Sequence, residues 1–317
     1  TVPQLEQLMA TAALFGVHPS HAFTSVETSP EYADRPRLNV LKKAGVSRVS
    51  IGIQSFQDEE LKAIKRRPRQ NTIYQALDDI RQMDFPYFNI DLIYGIKGQT
   101  VESFLYSLEE ALRFQPNELF IYPLYVRQGT GITEREPDDV CFRMYRAACK
   151  LLQAKGFLQT SMRRFIHHPS TDAEVSCGDE VMLSCGSGGR SYLGDLHYAT
   201  RYTVCQQCIA REIDEYMATT DFTVARNGFI LSAKEQQQRF IIKNLMYYMG
   251  IDKAEYTRRF GEPLDRTPLF RQLAEQYWIE ETPERIRLTP EGLGYSDYIG
   301  QLFITPEIRQ LMETYSY

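Results

Sequence analysis

The chain has 317 residues, with 36 Lys and Arg against 41 Asp and Glu, a formal charge of −5, 43% hydrophobic and 24% charged residues. This suits a soluble globular chain large enough for a sizeable core and two or three subdomains. Its mild acidity gives no reason to expect nucleic acid, and no apolar run approaches the ~18 residues of a membrane span. The six cysteines, at positions 141, 149, 177, 185, 205 and 208, sit in a chain without secretory features. They read as reduced thiols, and the location expected is cytoplasmic.

Leu5, Leu8, Met9, Ala12 and Leu14 follow a helical repeat after a Thr1 cap and an early-turn Pro3. A strand is expected over Phe23–Glu27, closed by Thr28-Ser29-Pro30. Leu38, Leu41 and Ala44 form a helix face that Gly45 stops. The run from Ser47 to Phe56 is a short apolar strand rich in β-branched residues, as is Phe88 to Gly95. Helical segments (Asp58–Lys65, then Thr72–Met83) lie between them, as parallel strands joined by crossover helices require. A helix over Val101–Phe114 and a strand over Asn117–Val126 extend the pattern. In α/β barrels ligands bind where the C-terminal strand ends gather their loops. A buried strand has no packing reason to hold Gln54 or Asp91, so these two are the first site candidates.

Gly129, Gly131 and Pro137 mark a linker into a helix over Asp138–Lys155. Cys141 and Cys149 share roughly one face of it, where a buried structural role is expected. His167 and His168 are strand neighbours pointing to opposite faces, so one site cannot easily use both. A glycine-rich stretch, Met182 to Gly194, precedes an isolated CxxC, Cys205 to Cys208, which lacks the further ligands a zinc or cluster site needs. From Phe229 the chain turns helical (Ala233–Tyr248, Asp252–Phe260, Thr267–Gln276) and ends in a short hairpin, Trp278–Glu280 with Ile286–Thr289.

Three stretches in order, Val26-Glu27-Thr28-Ser29-Pro30, Ser50-Ile51-Gly52-Ile53-Gln54-Ser55-Phe56 and Asn89 through Gln99 (NIDLIYGIKGQ), resemble the HemN-like group of radical S-adenosylmethionine (SAM) enzymes. The oxygen-independent coproporphyrinogen III dehydrogenase typifies that group. The resemblance implies an α/β fold: an incomplete, open (β/α) barrel over 1–128, a barrel extension with the substrate side over 129–228, and a mostly helical, winged-helix-like region over 229–317. A winged helix invites a DNA-binding reading, but Glu255, Glu262, Glu275, Glu280 and Glu281 argue against a phosphate-tracking face.

By resemblance, Glu27, Gln54, Arg66, Asp91 and Pro123 hold SAM. Spacing alone would leave Glu27 a solvated strand-end carboxylate, Asp91 a structural one, and Arg66 part of the solvated charge run Lys65–Arg69. A guanidinium suits the carboxylate of SAM's methionine, the role that resemblance gives Arg66. The family's CxxxCxxC cluster motif is absent from these residues. It is expected upstream of Thr1, which would leave residues 1–317 alone inactive, with Cys205 and Cys208 only a weak metal candidate. In the family a [4Fe–4S] cluster reduces SAM, and the deoxyadenosyl radical abstracts hydrogen from a small-molecule substrate. The electron donor would be a flavodoxin or ferredoxin.

On the substrate side the candidates are Arg163, Arg164, Gly186, Gly188 and Arg190. Here the sequence departs from the family. Arg190 stands where a histidine is usual, Cys185 where glycine is common, and the Arg-His-Asn element is replaced by the acidic run Glu174 to Glu180. The expected activity is therefore methylation or oxidation of an organic substrate other than coproporphyrinogen III. A haem-binding carrier without turnover is the alternative, and coproporphyrinogen III oxidation a further one.

Overall fold

The structure is a computed structural model that describes residues 1–16, 22–67, 69–127, 129–167, 181–201, 203–225, 227–264 and 268–314. The chain forms two compact units, Thr1–Val126 with Ile132–Ala173, and Arg127–Gly131 with Glu174–Tyr317. No described helix is long and apolar enough to cross a membrane.

The first unit runs α1 (Val2–Leu14), β1 (Ser25–Thr28), α2 (Arg35–Lys43), β2 (Arg48–Gln54), α3 (Asp58–Ala63), α4 (Gln70–Met83), β3 (Tyr87–Tyr94), α5 (Val101–Leu112), β4 (Glu118–Pro123), α6 (Asp138–Ala154), β5 (Leu158–Gln159) and β6 (Arg164–Ile166). The strands form one sheet in the order β1-β2-β3-β4-β6-β5. The first four are parallel, and β6 runs antiparallel to both β4 and β5. The result is an open α/β sheet rather than a closed barrel. β4 stops at Pro123, short of the expected Val126, and Pro123 brings no N–H to a ladder.

Alternation along the strands sorts their residues by face. Val49, Ile51 and Ile53, then Ile90 and Leu92, then Leu119 and Ile121, and finally Phe165 are buried in one core. Leu38, Leu77, Phe104, Leu108 and Met144 come from the helices to meet them. At roughly 1.5–3 kcal/mol per fully buried large side chain, this face supplies much of the unit's stability.

The loops after β2 and β3 are pinned by a buried polar cluster. Glu60 accepts hydrogen bonds from Ser55 Oγ (2.6 Å), Ser103 Oγ (2.6 Å) and Gln99 Nε2 (2.9 Å). Gln99 Oε1 in turn accepts from the backbone N–H of Gly95 at 2.8 Å. Gly95 has φ +82, and a Cβ there would sit 2.6 Å from Cys141 Sγ, so this turn requires glycine. Several motif residues, Ser55, Gly95 and Gln99 among them, thus build the loops that carry a site.

The second unit comprises β7 (Val181–Met182), β8 (Arg190–Leu193), β9 (Leu196–Ala199), α7 (Gln206–Met217), β10 (Gly228–Ile230), α8 (Ala233–Leu245), β11 (Ile251–Asp252), α9 (Lys253–Phe260), α10 (Pro268–Glu275), β12 (Ile279–Glu281), β13 (Arg285–Leu288), α11 (Pro290–Gly294), α12 (Ser296–Leu302) and α13 (Pro306–Thr314). One antiparallel sheet is ordered β10-β9-β8-β7, and a second β11-β13-β12. Phe240, Leu245, Tyr256, Phe270, Leu273, Ile286 and Ile299 centre the core around the second sheet. This helix-then-hairpin arrangement is the winged-helix-like region expected from the sequence. The glycine-rich stretch, by contrast, opens an antiparallel sheet with β9 and β10 that sequence periodicity did not suggest.

Candidate functional site

The sheet face opposite the helices is polar, and the strand register sets its residues in rows. Glu27, Ser50, Asn89 and Glu118 are register partners across β1 to β4. The next row carries Gly52, Asp91, Phe120 and Arg164. Two strand positions further, Ile93 pairs with Tyr122.

Two hydrogen-bonded groups occupy this face. Asn89, fully buried, donates from Nδ2 to Asp91 Oδ1 and to Ser50 Oγ, each at 2.7 Å. Ser50 Oγ donates to Asp91 Oδ2 at 3.3 Å. In the second group Glu118, 2% exposed, takes Arg48 Nε on one carboxylate oxygen (2.7 Å) and Arg164 Nη2 on the other (2.5 Å). Arg48 Nη1 also donates to Ser25 Oγ at 2.9 Å, and its guanidinium lies 5.6 Å from the Phe120 ring centroid.

Burial pushes the Asp91 carboxyl up to about 6. The Asn89 hydrogen bond and the Arg48 charge pull the other way, Glu27 adds to the rise, and the Ser50 hydrogen bond lowers it. Tyr122 is raised by burial first and then by the charges of Asp91 and Glu27, with Arg163 and Arg48 opposing. Asp91, Glu27, Arg48 and Tyr122 therefore share one electrostatic environment.

Gln54 ends β2 in the left-handed region (φ 73), at the irregularity where the β2–β3 register shifts. A Cβ on Gly52 would lie 2.6 Å from Gln54 Nε2. The side chain therefore folds back over Gly52, in the row of Asp91. Glu27 is exposed on edge strand β1.

The other candidates lie elsewhere. Arg66 is exposed just past α3, where its backbone N–H closes the helix onto Leu61 O at 2.8 Å. Pro123 shares a row with Tyr94, whose ring meets Phe104 and Tyr145 on the helix side. Arg163 donates to Tyr125 OH at 2.5 Å. Gly186, Gly188 and Arg190 belong to the second unit. Gly186 N–H donates to Tyr216 OH (3.0 Å), Gly188 N–H to Thr200 Oγ1 (2.5 Å), and Arg190 opens β8 opposite Ala199. His168 and the acidic run 174–180 lie outside the described residues.

Sequence reading missed Arg48 and Glu118; Asn89 stood out only as a polar residue in an apolar strand, and Tyr122 only as a neighbour of Pro123. The signal was present: Arg48-x-Ser50, Asn89-x-Asp91 and Glu118-x-Phe120-x-Tyr122 put polar residues at period two inside apolar strands. Together they describe one polar face.

This face offers acceptors. Asn89 Oδ1 is buried and has no hydrogen-bond partner among the described residues, and Asp91 is a half-buried carboxylate beside it. Such a set suits a ligand with hydroxyl and amino donors, which the nucleoside of SAM has. An iron–sulfur cluster does not fit the residues present. No CxxxCxxC occurs in the sequence, and the described residues hold no group of three His, Cys, Asp or Glu able to bind a metal ion. Cys205 caps α7, its Sγ accepting the Cys208 N–H at 3.4 Å.

Comparison with known proteins matches residues 3–111 to the radical SAM superfamily and 231–294 to the HemN C-terminal domain. The heme chaperone HemW of Bacillus subtilis is 26% identical over 88% of this chain and 76% of its own length. The oxygen-independent coproporphyrinogen III oxidase of Thermostichus vulcanus is 25% identical over 84% of this chain and 89% of its own. The structure of the Escherichia coli coproporphyrinogen III oxidase HemN, a radical SAM enzyme, superposes with a TM-score of 0.79. It is 21% identical, and the match covers 96% of this chain and 75% of that one. The radical SAM superfamily in general uses SAM and a [4Fe–4S] cluster.

Proposed function

We propose that the chain is a member of the HemN-like radical SAM family, which the matches over residues 3–111 and 231–294 support, and that its parallel-sheet unit is a SAM-binding body. The reaction served is methylation or oxidation of an organic substrate other than coproporphyrinogen III. The observation that supports the binding site is the Asn89–Asp91 pair, Asn89 buried and Asp91 half-buried, with one acceptor still to be satisfied, on the polar sheet face.

On this reading Asp91 accepts a hydroxyl or amino hydrogen of the nucleoside, and Asn89 fixes the carboxylate's orientation while offering Oδ1. Glu27 adds an acceptor at the β1 edge, and the Gln54 amide, set over Gly52, supplies a donor. Arg66 contacts the methionine carboxylate only if its exposed side chain turns toward the face. When bound, SAM supplies a carbon–sulfur bond that reductive cleavage turns to radical chemistry.

The departures at Cys185 and Arg190 and the absence of the Arg-His-Asn element support a substrate other than coproporphyrinogen III. Arg164 adds to this, since Glu118 holds its guanidinium within the sheet face. The second reading, a haem carrier without turnover, is favoured by the Bacillus relative named as a heme chaperone.

Calorimetric titration of residues 1–317 with SAM tests the site. One-site binding is expected, weakened roughly tenfold to a hundredfold in Asp91→Ala, as loss of a charged hydrogen bond worth ~1.5–3 kcal/mol requires. Equal affinity in the folded variant would remove Asp91 from the site. The reaction is read in the protein as the cell makes it, supplied with reductant and SAM. 5′-Deoxyadenosine formation favours the enzyme and its absence the carrier, while sustained protoporphyrinogen from coproporphyrinogen III would overturn the substrate assignment.

A further inference from the structure

Two of the chain's thiols share one helix start in the second unit. Cys205 is the N-cap of α7, with extended backbone (φ −74, ψ 126), and Cys208 lies one turn into the helix. The Cys208 N–H donates to Cys205 Sγ at 3.4 Å, and the Cys205 N–H donates to Thr203 Oγ1 at 3.4 Å. Gly129, in the same unit, lies against Cys205: a Cβ there would sit 3.5 Å from the Cys205 Cβ. As glycine it brings no side chain against Cys205. Side chains three apart on a helix lie about 5–6 Å apart, so rotating the two thiols, with little backbone movement, brings the sulfurs to bonding distance.

The usual reason for a cysteine in a fold, packing as a small hydrophobe, does not apply to this pair. Both are half-buried, and no described residue of α7 is buried. Neither belongs to the apolar cores formed by the described residues. Cys141 and Cys149 of α6 are the contrast, since both pack in the core of the first unit. As a cap, too, a sulfur accepts more weakly than the oxygen of serine, threonine, aspartate or asparagine.

A helix start with donors aimed at sulfur favours a thiolate. The thiol and the backbone N–H of Cys208 lower the Cys205 thiol; burial opposes them, and the Gln207 N–H and the Arg211 charge assist. The same thiol contact raises Cys208. The two sulfurs are thus unequal, as an attacking and a resolving thiol are.

We propose that Cys205 and Cys208 form a thiol–disulfide exchange site for low-molecular-weight disulfides, with Cys205 attacking and Cys208 resolving. The Cys205 thiolate attacks one sulfur of a disulfide RSSR, making a Cys205–SR bond and releasing RS⁻. Cys208 then gives up its proton to that RS⁻ and attacks Cys205 Sγ. The Cys205–Cys208 bond forms, and the second RS⁻ leaves and takes up the proton that Cys205 first lost. The pair is oxidised by two electrons, and RSSR is reduced to two thiols. The site lies within the second unit and does not depend on the SAM reading.

Incubation of the chain with oxidised glutathione, acid quenching and peptide mass spectrometry without reduction test it. The expected product is an intramolecular Cys205–Cys208 disulfide, with loss of both thiols, release of both glutathione halves, and reversal by excess reduced glutathione. Cys208→Ser should stop at a mixed disulfide on Cys205, and Cys205→Ser should slow the first step several-fold. Circular dichroism shows that each variant is folded. Where one is not, early quenching of the parent reads the same order, with glutathione first on Cys205. A mixed disulfide that never closes in the parent, first attack at Cys208, an unslowed Cys205→Ser, or pairing of either thiol with Cys185 would overturn the proposal.

Discussion

Asn89 and Asp91, two residues apart on one strand, are joined side chain to side chain by a 2.7 Å hydrogen bond on the polar face of the sheet. The bond and the Arg48 charge stabilise the ionised carboxylate, yet burial outweighs them and the group titrates near 6. Asp91 is therefore held in a costly state that a ligand donating hydrogen bonds to it would relieve.

A pH signature follows. Because the folded value is raised above the ordinary one, the neutral acid's full contribution to stability is present below about pH 4. It is lost as pH rises through about 6. Asp91→Asn, which never ionises, should gain stability over the parent across that window, by on the order of 2–3 kcal/mol at pH 7 relative to pH 4. Urea unfolding of both proteins at several pH values measures the difference. A difference that does not change with pH would show that Asp91 is not perturbed by burial.

Glu118 with its two arginines gives a second expectation. Its carboxylate is 2% exposed and both guanidinium side chains 14% exposed. Glu118→Ala leaves two largely buried cations facing each other, and a loss of about 3–5 kcal/mol is expected. Glu118→Gln keeps an acceptor for one of them and should cost less. Denaturant midpoints rank the two; an alanine variant within about 1 kcal/mol of the parent would make the trio marginal, as surface ion pairs are.

The parallel strands, their crossover helices and the terminal hairpin were legible because each announces itself in local periodicity: Val49-x-Ile51-x-Ile53 faces the helices whatever the rest of the chain does. Asp91 and Gln54 stood out as polar residues in apolar runs. The partnership of Arg48, Glu118 and Arg164 was not legible, because they come from three strands as much as 116 positions apart (164 − 48) and only the register brings them together. Ser55 and Gln99 show the reverse case. They belong to the most recognisable motifs, yet their hydrogen bonds hold loops. The antiparallel sheet after Val181 escaped for a simpler reason: its strands are two to four residues long, too short for any period to show.

Thiol reactivity should follow position rather than number. Hydrogen bonds from Cys208 lower the Cys205 thiol, and the same contact raises Cys208. Burial raises Cys141 and pushes Cys149 up to about 11. Iodoacetamide at mildly alkaline pH should therefore label Cys205 before Cys208, and both before Cys141 and Cys149, since the thiolate is the nucleophile. Peptide mass spectrometry over a time course reads the order. Early labelling of Cys149 in the folded chain would contradict its burial in α6.

The last expectation separates a structural glycine from a site glycine. A Cβ at Gly52 would meet Gln54 Nε2 at 2.6 Å and Cδ at 3.7 Å, the far end of a flexible side chain rather than backbone. Gly52 also lacks the positive φ that would strain an alanine. Gly52→Ala should therefore cost the fold little and act by turning the Gln54 amide away from the row of Asp91. If that amide contacts SAM, Gly52→Ala lowers SAM affinity about as much as Gln54→Ala does. Adding it to Gln54→Ala should then lower affinity no further, the non-additivity of two changes acting on one contact. A four-way calorimetric cycle measures this. Losses that simply add would mean that the two residues act separately, and a Gly52→Ala chain that binds SAM like the parent would take Gln54 out of the site.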